Sequence, residues 1–281
     1  MLIQRVITAF FMLAILLPAI FYHSLVPFGI VTLLLISAGG WEWARLNQFS
    51  NRIAVVVGVV CAGVFAASWQ LGWTARPMGL LWLIVGSSWI LVGVRLLNTG
   101  VSSWSVVPKG IRLIGGLFAI WIAWLAVMQA RLIGVNFLFS VMVLVWVADI
   151  FAYFFGRALG GKWIAQKLAP SISPGKTWEG AIGGLLGVVA IAFIWKWADS
   201  TFELDSKSIY TMLYAQHSWL MAVAVVLLGV MSVVGDLLES LFKRSAGVKD
   251  SSGLLPGHGG VLDRVDALLP VLPLAMMLVT L

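Results

Sequence analysis

Cysteine, histidine and charged residues are all scarce in this sequence. Its single cysteine, Cys61, lies inside an apolar run, so a disulfide framework or a cysteine-based metal site within one chain is excluded. Two of the three histidines, His23 and His217, stand near the ends of apolar runs, as interfacial residues do. These residues give no support for a zinc- or cofactor-binding motif.

The low charge also excludes an ordinary soluble domain. Charged residues make up 10% of the chain and hydrophobic residues 61%, and the mean hydropathy is +1.03. The net charge of +7 comes from basic residues scattered through short loops. We therefore expect lipid headgroups as the anionic neighbours and no nucleic acid as a partner.

Linkers, charge tracts and repeats are not evident either, which predicts one helical domain. A hydrocarbon core about 30 Å thick needs roughly 20 apolar residues per helix. The sequence predicts an all-α polytopic bundle of about nine transmembrane helices, the first of them retained and not cleaved as a signal peptide. The predicted spans cover residues 6–22, 24–41, 53–71, 78–97, 111–130, 132–155, 180–197, 218–238 and 262–281. We expect 1–130 to act as scaffold and 131–281 to carry the active site.

The lysines and arginines indicate the orientation of these spans. Nine spans place 14 of the 18 basic residues on one side, which the positive-inside rule makes cytoplasmic. The prediction is a multi-pass protein of the inner (plasma) membrane with a cytoplasmic N-terminus and an extracytoplasmic C-terminus. The four basic residues on the other side are Arg76, Arg131, Lys196 and Lys207.

Charge is concentrated in two segments, 149–179 and 236–266, which hold 7 of the 11 acids and 8 of the 18 bases. In the second segment, Asp236, Glu239 and Lys243 fall at helical spacings on one face. Asp263 and Asp266 open the last apolar run, where simple helix capping is the alternative reading. Both segments fall on the predicted cytoplasmic side.

Clustered carboxylates without cysteine favour a hard cation, so Mg²⁺ or Mn²⁺ is the expected metal and Asp236 with Asp263 the expected ligand pair. The four nearby cations would clamp phosphates, which indicates phosphoryl or nucleotidyl transfer. His258, between glycines, is a phosphate donor, an acid or a turn residue. The cations are Lys243, Arg244, Lys249 and Arg264.

In the first segment, Asp149 lies near the cytoplasmic end of its helix, and an intramembrane acid is a functional candidate. Arg157 and Lys162 follow it. The run Pro174-Gly175-Lys176-Thr177 is not a phosphate-binding P-loop, because Pro170 stands where that motif needs glycine. Lys176, Ser173 and Thr177 remain candidate phosphate contacts at a helix start. Glu179 is a candidate cap residue, and residues 163–168 a candidate interfacial helix.

The segment SLFKRSAGVKDSSGLLPGHGGVLDRVD, residues 240–266, closely resembles the signature of the phosphatidate cytidylyltransferases, or CDP-diacylglycerol synthases. The segments 149–161 and SPGKTWEG are also similar to that family. Ile150 departs from it, since a hydroxyl residue is expected after the aspartate.

The resemblance implies a reaction of CTP with phosphatidate that gives CDP-diacylglycerol and pyrophosphate and depends on Mg²⁺. It implies Asp236 and Asp263 as metal ligands, with Asp149 and Asp266 as further ligands. Phosphate-binding roles are implied for Lys176, Lys243, Arg244, Lys249, His258 and Arg264, with Arg157 and Lys162 also on the substrate side. The expected partners are CTP, phosphatidate and membrane lipids, and a homodimer is a candidate assembly.

Two other classes compete with this interpretation. A CDP-alcohol phosphotransferase would carry the pattern D-x-x-D-G-x-x-A-R, which the sequence lacks. A transporter or channel for an anionic solute would also place polar residues at helix ends, but it predicts polar residues that continue to the far side of the membrane.

Overall fold

Residues 2–281, which a computed structural model describes, form eleven α-helices, one short 3₁₀ turn and one two-stranded ribbon. The helices are α1 (Leu2–Phe21), α2 (Leu25–Leu46), α3 (Asn51–Gln70), α4 (Gly79–Val106), α5 (Lys109–Ile133), α6 (Val135–Leu159), α7 (Trp178–Thr201), α8 (Ile209–Gln216), α9 (Ser218–Ser245), α10 (Leu262–Val265) and α11 (Leu268–Thr280). The ribbon pairs β1 (Lys167–Ala169) with β2 (Ser173–Thr177) in antiparallel fashion. The predicted helical membrane fold is confirmed.

Eight helices, α1 to α7 and α9, are long and apolar enough to cross a membrane. The predicted ninth span, 262–281, is instead divided into α10 and α11. The 13 residues of α11 would extend about 20 Å, less than the thickness of a hydrocarbon core. The count of nine spans is therefore not confirmed.

α11 occupies the middle of the bundle. It packs against α4, α5, α6, α8 and α9, and its side chains are buried continuously from Pro270 to Leu278. A helix that is apolar all round must be covered on every side. The longer helices supply that cover, and α11 brings the chain segment before it, which contains Asp266, into the interior.

α6 and α7 approach each other closely because α7 has glycines on the facing side. A Cβ added at Gly180 would lie 2.9 Å from the Ala152 carbonyl oxygen, and one added at Gly184 would lie 2.8 Å from the Ala148 carbonyl oxygen. Small residues permit such backbone contact between membrane helices. This packing places the second half of α6 beside the first half of α7. Asp149 lies within this contact region and not at the end of α6 as predicted, because α6 continues to Leu159.

The expected interfacial helix over 163–168 is not formed. One carboxylate oxygen of Glu179 accepts backbone hydrogen bonds from Gly161, Trp163 and Ile164 at 2.9–3.1 Å, which holds this segment in a turn. The cap of α7 is Thr177, whose hydroxyl accepts from the Gly180 N–H at 3.1 Å. Glu179 therefore organises the loop before the ribbon and does not cap its own helix.

Candidate active site

Three carboxylates from separate parts of the chain meet at one end of the bundle. Asp149 belongs to α6 and Asp236 to α9, and Asp266 lies just before α11. Burial, followed by the negative charges of Asp236 and Asp149, raises the pKa of Asp266 to about 7. Asp149 and Asp236 line the same cavity, and a cation bound there would relieve the repulsion among these carboxylates.

A lysine already neutralises part of this charge. The Lys176 Nζ lies 2.5 Å from an Asp236 carboxylate oxygen, and Lys176 and Arg264 are the cations whose charge acts on Asp149. Lys176, Asp149 and Asp236 line a cavity of about 440 Å³, which we call the polar cavity. Arg157 also lines it and donates to the Tyr153 hydroxyl at 2.9 Å.

Asp263 is engaged by protein donors on both oxygens. One accepts from the Lys243 Nζ at 2.7 Å, and the other accepts from the N–H and hydroxyl of Ser251 and from the Gly260 N–H at 2.8–2.9 Å. Burial alone would raise the pKa of Asp263, but the hydrogen bonds from Lys243 and the backbone outweigh it and lower the pKa to about 2. Asp263 therefore anchors the loop between α9 and α10, which we call the signature loop. Its pairing with Asp236 on a metal stays a prediction.

Lys243 is likewise held by carboxylates. Besides Asp263 it contacts the Glu239 carboxylate at 2.5 Å, and the side chains of all three residues are almost buried. The second oxygen of Glu239 has no hydrogen-bond partner. Before Lys243 can contact a phosphate, as the sequence predicts, one of these two ion pairs has to open.

The other predicted phosphate contacts differ in their burial and in the groups that they contact. The Arg244 Nε donates to the Ile172 carbonyl oxygen at 3.4 Å, Thr177 lines the polar cavity, and Ser173 lies in β2. The Nδ1 of His258 is buried without a partner. Exposed positions are occupied by Lys162, Lys249 and Arg264.

Sequence reasoning missed Glu42, a completely buried acid near the site. It is 0% exposed, and its carboxylate accepts from the N–H groups of Val261 and Leu262 at 2.9 and 2.8 Å. The Ser252 hydroxyl donates to it at 2.6 Å, and the Ser251 hydroxyl, which shares its one proton between Asp263 and Glu42, lies 3.3 Å away. A signal was present, because Glu42 is the one acid before Asp149.

A second cavity, about 400 Å³ and almost wholly apolar, lies on the other side of α9; we call it the apolar cavity. Gly235 lines the apolar cavity, whereas the next residue, Asp236, lines the polar cavity. Glu239 and Asp266 also line the apolar cavity. The acidic cluster of Asp149, Asp236 and Asp266 therefore lies between the polar cavity and the apolar cavity.

These side chains suit a hard divalent cation by chemical type, since every donor is a carboxylate oxygen. Within residues 2–281, no group of three or more Asp, Glu, His or Cys side chains is arranged as a finished metal site. Lys176 holds Asp236 in an ion pair, so a metal would have to displace an ammonium group. Ligand roles for Asp149, Asp236, Asp263 and Asp266 stay predictions.

Comparison with known proteins identifies the family of the chain. The sequence model of the cytidylyltransferase family matches residues 3–281. A phosphatidate cytidylyltransferase from Pseudomonas aeruginosa is 38% identical over 278 residues, covering 97% of this chain and 95% of the relative. One from Haemophilus influenzae is 36% identical over 295 residues, covering 97% and 96%.

Part of the chain is also similar to more distant relatives. A phosphatidate cytidylyltransferase from Staphylococcus haemolyticus is 40% identical over 141 residues, half of this chain. The family match and the first two relatives extend over nearly the whole sequence, including both acidic segments. The chain therefore belongs to the cytidylyltransferase family.

Proposed function

We propose that this protein transfers the cytidylyl group of CTP to phosphatidate, forming CDP-diacylglycerol and pyrophosphate. The relatives that match over nearly its whole length are named for this activity. The observation in the fold that supports it best is the acidic cluster between the polar and the apolar cavity. A reaction between a charged nucleotide and a lipid requires a site that adjoins both kinds of environment.

In the proposed reaction, a phosphate oxygen of phosphatidate forms a bond to the α-phosphorus of CTP. The bond between that phosphorus and the oxygen leading to the β-phosphate breaks, and pyrophosphate leaves with the electron pair. The nucleophile is already an anion, so catalysis depends on positioning and charge neutralisation more than on a general base. Lys176 and Arg157, which line the polar cavity, are suited to hold the triphosphate.

We propose Asp149, Asp236 and Asp266 as the carboxylates that hold Mg²⁺ or Mn²⁺, with Asp263 as a further candidate. The metal would supply charge neutralisation on the phosphates. The chain's own contribution is visible at Lys176, which neutralises Asp236 in this structure. With Asp236 neutralised by a metal, Lys176 would be free to contact a phosphate oxygen.

We place the site on the cytoplasmic side of the inner membrane. Both acidic segments, Glu42 and the first turn of α5 lie at the same end of the bundle as most basic residues, which supports this orientation through the positive-inside rule. The predicted sides of the two termini and a homodimer stay proposals.

The transporter alternative is disfavoured by the packing along the bundle axis. A pathway needs polar groups that continue across the membrane. Beyond the acidic cluster, α11 fills the axis with buried apolar side chains such as Val271, Leu274 and Leu278. This arrangement suits an enzyme that takes its nucleotide and its lipid from the same side.

The test is an assay of the detergent-purified protein for pyrophosphate release from CTP in the presence of phosphatidate and Mg²⁺. We expect release that requires all three components, stops with a chelator, and returns when Mg²⁺ or Mn²⁺ is added back. Asp236→Asn is the matched inactive variant. Release by this variant equal to that of the wild type, or no release from the folded wild type, would contradict the proposed function.

A further inference from the structure

Arg112, in the first turn of α5, is a buried cation without a counter-charge. Its residue is 8% exposed, its Nε has no hydrogen-bond partner, and no carboxylate within residues 2–281 forms an ion pair with it. An uncompensated buried charge is costly, by several kcal/mol in proteins and in membranes. An anion bound at this position would compensate that charge.

The surroundings of Arg112 define where such an anion would sit. Arg112 is the one cation among the residues that line the apolar cavity. Its guanidinium carbon lies 5.9 Å from the centre of the Trp104 ring, and Trp104 packs on Phe242 of α9 at 4.5 Å between ring centres. The cation thus lies over the ring of Trp104, which in turn packs on a residue of the signature segment.

The rest of the cavity is suited to hydrocarbon. Its lining includes one face of α4 from Leu81 to Leu96, a distance of about 22 Å along the helix axis. Ile84, Val92, Ile111 and Phe118 line the cavity and are also exposed on the outer surface of the bundle. The cavity therefore opens sideways, between α4 and α5, toward the surface that faces lipid.

The inner wall of the same cavity is formed by the candidate catalytic residues. Glu239 and Asp266 line it, and Glu239 shares the ammonium group of Lys243 with Asp263. A ligand that extended from the lipid-facing opening to Arg112 would need an apolar body and an anionic end. That combination is the chemistry of a phospholipid with a phosphate headgroup.

We propose that the apolar cavity is the phosphatidate site, that the lipid enters between α4 and α5 with an acyl chain along α4, and that Arg112 binds its phosphate. This proposal rests on the proposed function, and it assigns to the lipid substrate a residue outside the two acidic segments. The nucleotide is assigned to the polar cavity, whose lining does not include Arg112. The two phosphate groups would meet at the acidic cluster, where Asp266 lines the apolar cavity and Asp236 the polar one.

The first experiment separates the two substrates kinetically. In mixed micelles, the apparent KM for phosphatidate is measured at saturating CTP, and the KM for CTP at saturating phosphatidate. For Arg112→Gln we expect the phosphatidate KM to rise about tenfold to a hundredfold, as expected for loss of a charged hydrogen bond, with an unchanged CTP KM. Arg112→Lys should recover part of this loss. Arg95→Gln, which removes an exposed charge from α4, is the matched control.

The second experiment fills the cavity without touching any charge. A Cβ at Gly115, which lines the cavity, meets no atom within 4 Å, so Gly115→Leu would occupy the space intended for the acyl chain. Gly110 of the same helix also has free space but does not line the cavity, so Gly110→Leu is the control. We expect Gly115→Leu to raise the phosphatidate KM and Gly110→Leu to leave it unchanged.

A direct binding measurement covers variants that lose activity altogether. Retention of phosphatidate and of phosphatidylglycerol by the purified proteins is compared by native mass spectrometry. Selective loss of phosphatidate in Arg112→Gln supports the assignment. Equal loss of both lipids would show a general anionic-lipid site and overturn it, as would unchanged phosphatidate KM values in Arg112→Gln and Gly115→Leu. An inactive wild type would instead count against the proposed function.

Discussion

Glu42→Gln is the substitution that tests most directly how the signature loop is held in place. The carboxylate of Glu42 uses both oxygens. One accepts from the Val261 N–H and the Ser252 hydroxyl, and the other accepts from the Leu262 N–H and the Ser251 hydroxyl. Glutamine has nearly the same shape but replaces one of these acceptors by an NH₂ donor.

The size of the effect follows from the donors that remain. The amide oxygen can serve one pair, and the hydroxyl of the other pair can rotate to accept from the new NH₂ group. The backbone N–H of that second pair cannot adapt, so it is left buried without an acceptor, at a cost of about 1–3 kcal/mol. If the whole cost falls on the loop, kcat falls by about fivefold to a hundredfold, since about 1.4 kcal/mol corresponds to a factor of ten.

The assay measures kcat, both KM values and thermal unfolding of purified Glu42→Gln beside Glu203→Gln. Glu203 is exposed in the loop before α8, so its variant makes the same chemical change without burial. Glu42→Ala, which frees both backbone N–H groups, should be worse than Glu42→Gln. Wild-type kcat and stability in Glu42→Gln would refute the idea that this carboxylate positions the loop.

Three further outcomes follow from the same geometry. Asp199→Asn, at the opposite end of the bundle, removes the acceptor of Ser208 and Thr211; we expect it to lower stability by about 1–3 kcal/mol in unfolding assays while leaving both KM values unchanged. Glu179→Gln frees part of the turn at 161–164, and we expect a higher CTP KM and faster limited proteolysis there. Because the folded pKa of Asp263 lies below its usual value, its stabilisation is present above about pH 4 and is lost as the pH falls toward 2; acid unfolding of Asp263→Asn should therefore depend less on pH in that range.

The sequence was sufficient to predict the helical membrane fold, because long apolar runs have few alternative structures. It was also sufficient to select the two segments that meet at the site, since charge is rare elsewhere in the chain. The ninth span is not confirmed, because the last apolar run forms the 13-residue helix α11, which is buried inside the bundle. Hydropathy alone does not distinguish such a helix from one that crosses a bilayer.

The positions of individual contacts were harder to predict. Asp236 and Asp263 were paired by their spacing around a hairpin, but the donors that engage Asp263 come from loop backbone at Ser251 and Gly260. Glu42 contacts residues about 210 positions later in the chain, a separation that local periodicity does not encode. Arg112 was assigned only to a membrane side, because no pattern distinguishes a buried arginine from a loop arginine.

The central position of α11 has a consequence for the movement of lipid. Its apolar side chains are packed on all sides as far as Leu278. The half of the bundle beyond the acidic cluster is therefore filled with apolar side chains and offers no polar path for a headgroup. A phosphatidate molecule that enters from the side at one leaflet is therefore expected to leave, as product, into that same leaflet. We expect such a protein to alter the headgroup composition of a single leaflet, and the redistribution of the product across the bilayer to depend on other proteins.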